Sequence, residues 1–547
     1  MKGWGIVPAV LVLGLARSSP VWGEQQEPIL LEEVQVTAAR APRIAFDVPT
    51  GVTVVGPEEI SRQTPQVLSD LMRGAAGVFV QQTTPGQATA IVRGLKGSEV
   101  LHLVDGMRLN NAFFRNAPNQ YLALVDPYNV ERVEVVRGPA STLYGSDAMG
   151  GVVQVITPVP RFDTEEWQVQ GRALGQFASA ELAGVTRLSV EGGKRGIALR
   201  GGFTYQNVDD RRAGGGHRQR PSGFTAHAAD GTMVLTLGSN HEVLLNVQYL
   251  RQPKTPRFDE LVAGFGQTQP SADVFFFEPN DRLFLHGRYR TLQPVAFIDL
   301  VELNVAHQQI DDDRRIRDFG SSEEDRERNQ SALTGITLQG ISEAGERMNF
   351  TYGGELYLDT INSSRKRTNI LTGERVAVRS RFPDGSTMNS FALYVRDEIR
   401  LSPPLVATFG GRFSHFDLDL PGTDGETGTT LSFHDVTGSF GLRYRLTPVL
   451  NLVANVGRGF RAPNVFDLGT SGPRPGNRFN IANPDLGPEK IVTVDWGVKL
   501  QAPRLQGQVF GFYSDFTDKI ESVLTGDQTP DGRDVVQSRN VNRVILW

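Results

Sequence analysis

The sequence predicts an all-β transmembrane antiparallel barrel with an N-terminal mixed α/β plug domain inside its lumen. Three observations carry that prediction. From about Trp167 onward, apolar and polar residues alternate, the period-two pattern that sorts side chains to opposite faces of a sheet. The connections between these strands alternate short and long, as in barrels with short periplasmic turns and long extracellular loops. Ahead of them, residues 130–157 close a separate unit. Two strand-like runs, 132–137 and 152–157, flank Gly138, Pro139, Gly145, Gly150 and Gly151. Glycine permits positive φ there, and proline fixes φ and removes a donor.

Composition agrees. The chain has 547 residues, 39% hydrophobic, with a mean hydropathy of -0.25. After the N-terminus, no apolar run reaches the roughly 18 residues of a membrane helix. The same composition suits a barrel, in which only alternate residues face lipid. The absence of cysteine excludes structural disulfides and thiolate metal sites. A net charge of -5 and the lack of a basic stripe with interleaved aromatics point away from nucleic acid. No nucleophile elbow, P-loop or HExxH occurs, so neither catalysis nor a cofactor is expected.

In chain order, Lys2 and the apolar run 6–16, followed by Val21-Trp22-Gly23, read as a signal peptide over 1–23. Residues 24–45 form a periplasmic segment. In it Val34, Val36 and Ala38 alternate with Gln35 and Thr37, a strand with no nearby hairpin partner. It is free to add to another protein's sheet edge or to serve as an edge strand of the next domain. Residues 46–158 form the plug. It has a strand at Val52, a helix start at Pro57 with Glu58 and Glu59, a second helix after Pro65, and a hairpin around Asp105 and Gly106. Its strands carry Arg93, Arg108, Arg132 and Arg137.

Residues 159–547 form the barrel. Over 242–250, Val243, Leu245, Val247 and Tyr249 oppose Glu242, Asn246 and Gln248. Over 449–458, Leu450, Leu452, Ala454 and Val456 oppose Asn451 and Asn455. Roughly sixteen such segments occur, near the 9–11 residues a tilted strand needs. Short turns at 192–195, 238–241, 291–294, 343–346, 402–404, 447–448 and 502–504 alternate with long polar segments. Those are 209–223, 252–281, 310–328, 360–387, 417–432, 461–489 and 517–533.

Several runs then resemble the TonB-dependent outer-membrane receptors. LEEVQVTAAR from Leu31 looks like the TonB box. AIVRG at Ala90, LVDGMRLN at Leu103 and ERVEVVRGPASTLYGSDAMGGVVQVIT at Glu131 match the family's plug motifs in order. GRGFRAPNVFDL at Gly457, NPDLGPEK at Asn483 and FYSDFTDKI at Phe512 match its barrel motifs. The resemblance implies an active importer of a scarce nutrient with about 22 strands, wide enough to need a plug. It implies a box at Glu33, Val34, Gln35, Val36, Thr37 and Ala38 that TonB, energised by the inner-membrane proton gradient, captures as an added strand. It also implies ion pairs between plug Arg93 and Arg137 and barrel Glu489. Against 22 strands, RNVNRVILW ends the chain early, so truncation at the C-terminus is expected.

Substrate signals are weaker. The runs at Phe460 and Asn483 resemble the paired boxes of haem receptors, but 464–482 hold no histidine. His102 and His217 are the candidate exposed histidines. Arg211, Arg212, Arg461, Arg474 and Arg478 lie in basic loop segments, suited to an anionic ferric siderophore or equally to lipopolysaccharide. Haem and cobalamin stay open as ligands. The competing functions are a passive porin or adhesin, which needs neither box nor plug, and a nonfunctional fragment. A monomer in the Gram-negative outer membrane is expected.

Overall fold

The computed structural model describes residues 11–13, 34–35, 37–41 and 43–547 except 85, 118, 265, 423–427 and 475–476; the side chains of 11–13, 34–35, 473–474 and 542 are not described. The plug comprises β1 (Gly51–Val55), β2 (Val78–Thr84), β3 (Gln87–Val92), β4 (Val100–Val104), β5 (Met107–Arg108), β6 (Arg132–Arg137) and β7 (Gly151–Ile156). Its main sheet runs β1-β6-β7-β4-β5, and β2 and β3 form a separate hairpin. β6 is antiparallel to β1 and β7, whereas β7 is parallel to β4.

The stretch 130–157 therefore supplies the two central strands of that sheet. Alternation along β6 and β7 fills two cores. Val133, Val135, Val153 and Val155 pack with Leu68 and Leu71 on one side. Val136 and Val152 pack with Leu101 and Leu103 on the other. Gly151 is required by close approach, since a Cβ there would sit 2.2 Å from the Val136 carbonyl. The expected helix after Pro65 is only a 3-10 turn over Leu68–Met72. Gly74 and Gly77, both at positive φ, follow within one turn and stop it.

Among the described residues, the wall has sixteen long antiparallel strands. They are β8 (Gln168–Ala178), β9 (Ala183–Lys194), β10 (Ile197–Val208), β11 (Phe224–Leu237), β12 (His241–Gln252), β13 (Ala272–Val295), β14 (Ile298–Asp318) and β15 (Glu323–Ala344), then β16 (Met348–Asn369), β17 (Thr387–Ser402), β18 (Leu405–Leu420), β19 (Thr429–Thr447), β20 (Leu450–Arg461), β21 (Glu489–Ala502), β22 (Leu505–Gln528) and β23 (Asp534–Leu546). Each pairs with the next. The sorting of side chains is as the alternation requires. Leu245, Val247 and Tyr249 face outward, while Asn246 and Gln248 are buried against the plug. Leu452 and Val456 face outward and Asn451 and Asn455 inward. No helix among the described residues is long and apolar enough to cross a membrane; the strands present the apolar face instead.

Two long segments read as loops are mostly strand. β14 runs to Asp318 and β15 starts at Glu323, so 310–328 contains only a tight turn. β22 continues to Gln528 across most of 517–533. Above the hydrocarbon the outward face no longer meets lipid, and the inward polar residues are buried in pairs such as Asp312 with Arg314 and Glu327 with Arg365. Polar residues are therefore no obstacle to pairing, which satisfies the backbone donors and acceptors. At the other edge, Leu11–Leu13 lies antiparallel against β8, as an unpaired strand edge invites.

Candidate functional site: the plug–barrel interface

The candidate box segment is docked at its C-terminal end. Thr37 is fully buried, and its N–H and Oγ1 donate to Glu134 Oε2 at 3.0 and 2.5 Å. Tyr144 Oη donates to the Thr37 carbonyl at 2.8 Å. Ala38 packs at the edge of the second plug core. Arg40 then crosses to the wall. Its guanidinium pairs with Glu355 of β16 and lies over the rings of Tyr144 and Tyr394, 4.3 and 4.6 Å from their centroids. Glu355 also accepts from Arg412 of β18 at 2.5 Å. The segment is not partnerless, as the sequence suggested: Val34 and Gln35 pair antiparallel with Ile44 and Arg43. A two-residue pairing is the size of contact that a competing strand can replace. Glu33 and Val36 lie outside the described residues.

The predicted plug–barrel ion pairs form differently. Arg93 pairs with Asp495 of β21 at 2.5 Å and lies 4.6 Å over the ring of Phe512. Among the described residues Arg137 pairs with no carboxylate; its Nη1 donates to the Ala76 carbonyl at 2.6 Å and its Nη2 is buried without a partner. Burial, with Arg93 beside it, lowers its pKa to about 10. Glu489 does not meet the plug arginines. It pairs with Arg461, its direct cross-strand neighbour between β20 and β21, and accepts from the Ile520 N–H at 2.5 Å.

Other contacts were not foreseen. Lys499 Nζ donates to the carbonyls of Ala45, Val48 and Thr50 at 2.6, 2.8 and 2.7 Å. Asn451 donates to the Phe46 carbonyl at 2.9 Å. Lys499 and Asn451 share the inward parity of their strands, a signal present in the sequence.

Two candidate ligand residues are withdrawn by their surroundings. Arg461 is fully buried and bonded to both Glu489 and Asp467, with only Nη2 left without a partner, so it is committed to two carboxylates of the wall and its crossing. His102 is enclosed within β4, stacked on Phe114 at 5.5 Å, with Nδ1 3.1 Å from Asn110 Oδ1. Burial lowers its pKa to about 4, against a weaker opposing pull from the Asn110 hydrogen bond. Unfolding restores the ordinary value of 6.5, so the unfolded chain binds the extra proton between these values. Plug stability is therefore expected to fall as pH drops through this window, by about 3 kcal/mol in full. His102→Gln should flatten the dependence when plug amide exchange is followed from pH 7 to 4. An unchanged slope would assign the pH response to other groups.

Arg211 is half-buried, 3.7 Å from Glu181. Arg212, His217 and Arg478 are exposed. The backbone of Arg474 pairs with that of Arg478, and its side chain lies outside the described residues. Among the described residues, no group of three His, Asp or Glu side chains could hold a metal ion.

Comparison with known proteins agrees with this architecture. Residues 45–152 match the TonB-dependent Receptor Plug Domain, and residues 199–547 match the TonB dependent receptor-like beta-barrel. An "Iron-regulated outer membrane virulence protein" of Vibrio cholerae serotype O1 (strain ATCC 39315 / El Tor Inaba N16961) is 23% identical over 508 residues, covering 90% of this chain and 70% of that protein. The "Vitamin B12 transporter BtuB" of Vibrio vulnificus (strain CMCP6) is 34% identical over 181 residues, 32% of this chain and 28% of that protein. Among solved structures, "Copper transporter OprC" superposes with a TM-score of 0.76 at 16% identity, covering 90% of this chain and 76% of that one. The unliganded "ferric citrate transporter FecA" gives 0.69 at 17% identity, covering 87% and 71%. These are transporters and receptors rather than enzymes. The chain belongs to the TonB-dependent receptor family of the outer membrane.

Proposed function

We propose that this receptor imports an iron chelate, a ferric siderophore in first place, by a cycle in which TonB pulls on residues 33–38. One observation carries the reading: the segment ends in a buried bond from Thr37 to Glu134 of plug strand β6, and Arg40 just after it makes an ion pair to the barrel wall at Glu355. It therefore connects the periplasm to both bodies that must part. The iron-regulated relative matched over 90% of the chain supports iron over cobalamin or haem. Residues 1–23 direct export in this reading. Exposed Arg212, His217 and Arg478 are the candidates retained for contact with ligand or lipopolysaccharide, and the receptor acts as a monomer.

Deletion of 33–38 is expected to abolish growth of a receptor-dependent strain on its single iron source. The deleted receptor should still reach the outer membrane. The strain is compared on ferric siderophores, haem and cobalamin, each as sole source. Uptake that persists at the full rate without the segment would make the chain a passive pore.

A further inference from the structure

The plug is not held evenly around its circumference. Among the described residues, its ion pairs to the wall fall on β9 (Arg187 with Asp126, 3.0 Å), β16 (Glu355 with Arg40) and β17 (Glu398 with Arg43, 3.5 Å). Others fall on β19 (Arg445 with Asp47, 2.5 Å), β21 (Asp495 with Arg93) and β22 (Lys519 with Glu99, 3.2 Å). Strands β11 to β15 contribute none. There the plug meets neutral amides and one carboxylate: Asn246 and Gln248 donate to Asp105 at 3.1 and 3.0 Å, Gln308 donates to the Leu109 carbonyl at 3.3 Å, and Tyr121 Oη donates to Asp312 at 3.2 Å. The Leu109 bond is between neutral groups, and those to Asp105 join one charge to a neutral amide, so none sets two opposite charges against each other. Separating a buried ion pair leaves an unpaired charge on both sides, the costlier outcome. A load on the plug therefore opens the β11–β15 side first.

That side also holds a buried cation whose carboxylate neighbour sits on the plug. Arg282 of β13 is 2% exposed. Its Nε and Nη1 donate to Gln308 and Gln248 at 2.8 and 3.2 Å, Nη2 has no partner, and it forms no ion pair among the described residues. Its carboxylate neighbour Asp105 belongs to the plug and is already bonded to the N–H and Oγ1 of Thr157, each at 2.9 Å. Asp105 thus moves with the plug, while Arg282 stays on the wall. Below this seam, on the side of the short turns, lies a cavity of about 670 Å³ lined by Asp105, Gln154, His286, Arg288 and Arg40. Orphan polar atoms line it at Asn246 Oδ1, His286 Nδ1, Arg288 Nε and Gln154 Oε1, while Arg282 Nη2, also without a partner, lies outside the lining beside Gln248. Buried polar atoms without partners cost free energy unless something fills the site.

We propose that the ligand passes between the plug and strands β12 to β14, and that it is an anion received midway by the Arg282 guanidinium. This rests on the importer reading. A cation kept on the fixed wall with its counter-ion on the moving plug becomes an anion site when the two separate. The space it opens toward already exists as the cavity below. The opposite wall, where Lys499 and Asn451 grip the chain, stays closed.

The native chain has no cysteine, so single cysteines report cleanly. The probes are 2-sulfonatoethyl methanethiosulfonate, an anion, and its trimethylammonium analogue, a cation. In energised cells, Gln308→Cys and Asn246→Cys are expected to react with the anion at least about tenfold faster than Asn451→Cys on the anchored wall. The anion should also outpace the cation at these two positions. Arg282→Gln should reduce that preference by about tenfold, the size of a focused-field effect. Heat-modifiable migration checks that each variant is folded. Equal labelling of both walls, faster labelling at Asn451→Cys, or a preference indifferent to Arg282→Gln overturns the proposal. So does labelling that is the same with and without residues 33–38 while growth still needs them; the importer reading then survives. Growth independent of 33–38 removes both.

Discussion

Arg40→Ala is expected to free the box segment without ligand and to tighten capture by a periplasmic TonB fragment about 30- to 150-fold. The side chain holds three things at once: the Glu355 carboxylate and the faces of Tyr144 and Tyr394. Removing one member of a buried pair costs about 3–5 kcal/mol, and each desolvated ring contact about 1 kcal/mol or more. Glu355 keeps Arg412 as a second partner, which limits the net loss to about 2–3 kcal/mol, or the stated factor in population. Spin labels on residue 35 would report the undocked fraction directly. Mobility unchanged from the native receptor would show that Thr37 and Glu134 alone hold the segment.

Arg461→Met is expected to loosen the long crossing 462–488 and cost about 3–5 kcal/mol, because it strands two buried carboxylates. Asp467 accepts from Arg461 at 2.6 Å and also caps the short helix Val465–Gly469 through the Asn464 N–H at 3.2 Å. Glu489 bonds the start of β21 to the Ile520 amide. The double variant Arg461→Met with Glu489→Gln should recover part of the loss, since a neutral amide tolerates burial better than an unpaired charge. Limited proteolysis of 462–488 in the purified receptor is the readout. An intact crossing with lost ligand binding would instead return Arg461 to the ligand site.

The wall was legible in the sequence because lipid imposes a strict rule. Leu245, Val247 and Tyr249 had to share one face, and they do. The central pair of plug strands was legible as a motif. The charged contacts were not, since a motif marks a residue without naming its partner. Arg461 read as a loop cation because its run lacks apolar alternation. Only the register of β20 on β21 sets it opposite Glu489. His102 carried a clearer warning. It shares parity with Val100 and Val104 in an otherwise apolar run, which is how a buried residue looks. Lys499 and Asp495 were visible as inward residues of β21, yet their partners lie in the plug some 400 or more positions away. The overlong strands were missed because polarity was equated with loop, a rule that fails once a hairpin rises out of the hydrocarbon.

Lys499 has a mechanical consequence. Its three carbonyl bonds fall at Ala45, Val48 and Thr50, immediately before β1, the outermost plug strand, which starts at Gly51 opposite Arg137. Once the Thr37 bonds to Glu134 and the Arg40 ion pair have given way, traction along the backbone must strip that lysine before it loads β1. Past it, the rungs from Gly51 to Val55 are loaded one after another rather than together. The stopper would thus resist small tugs and, once that clasp slips, peel from its rim inward.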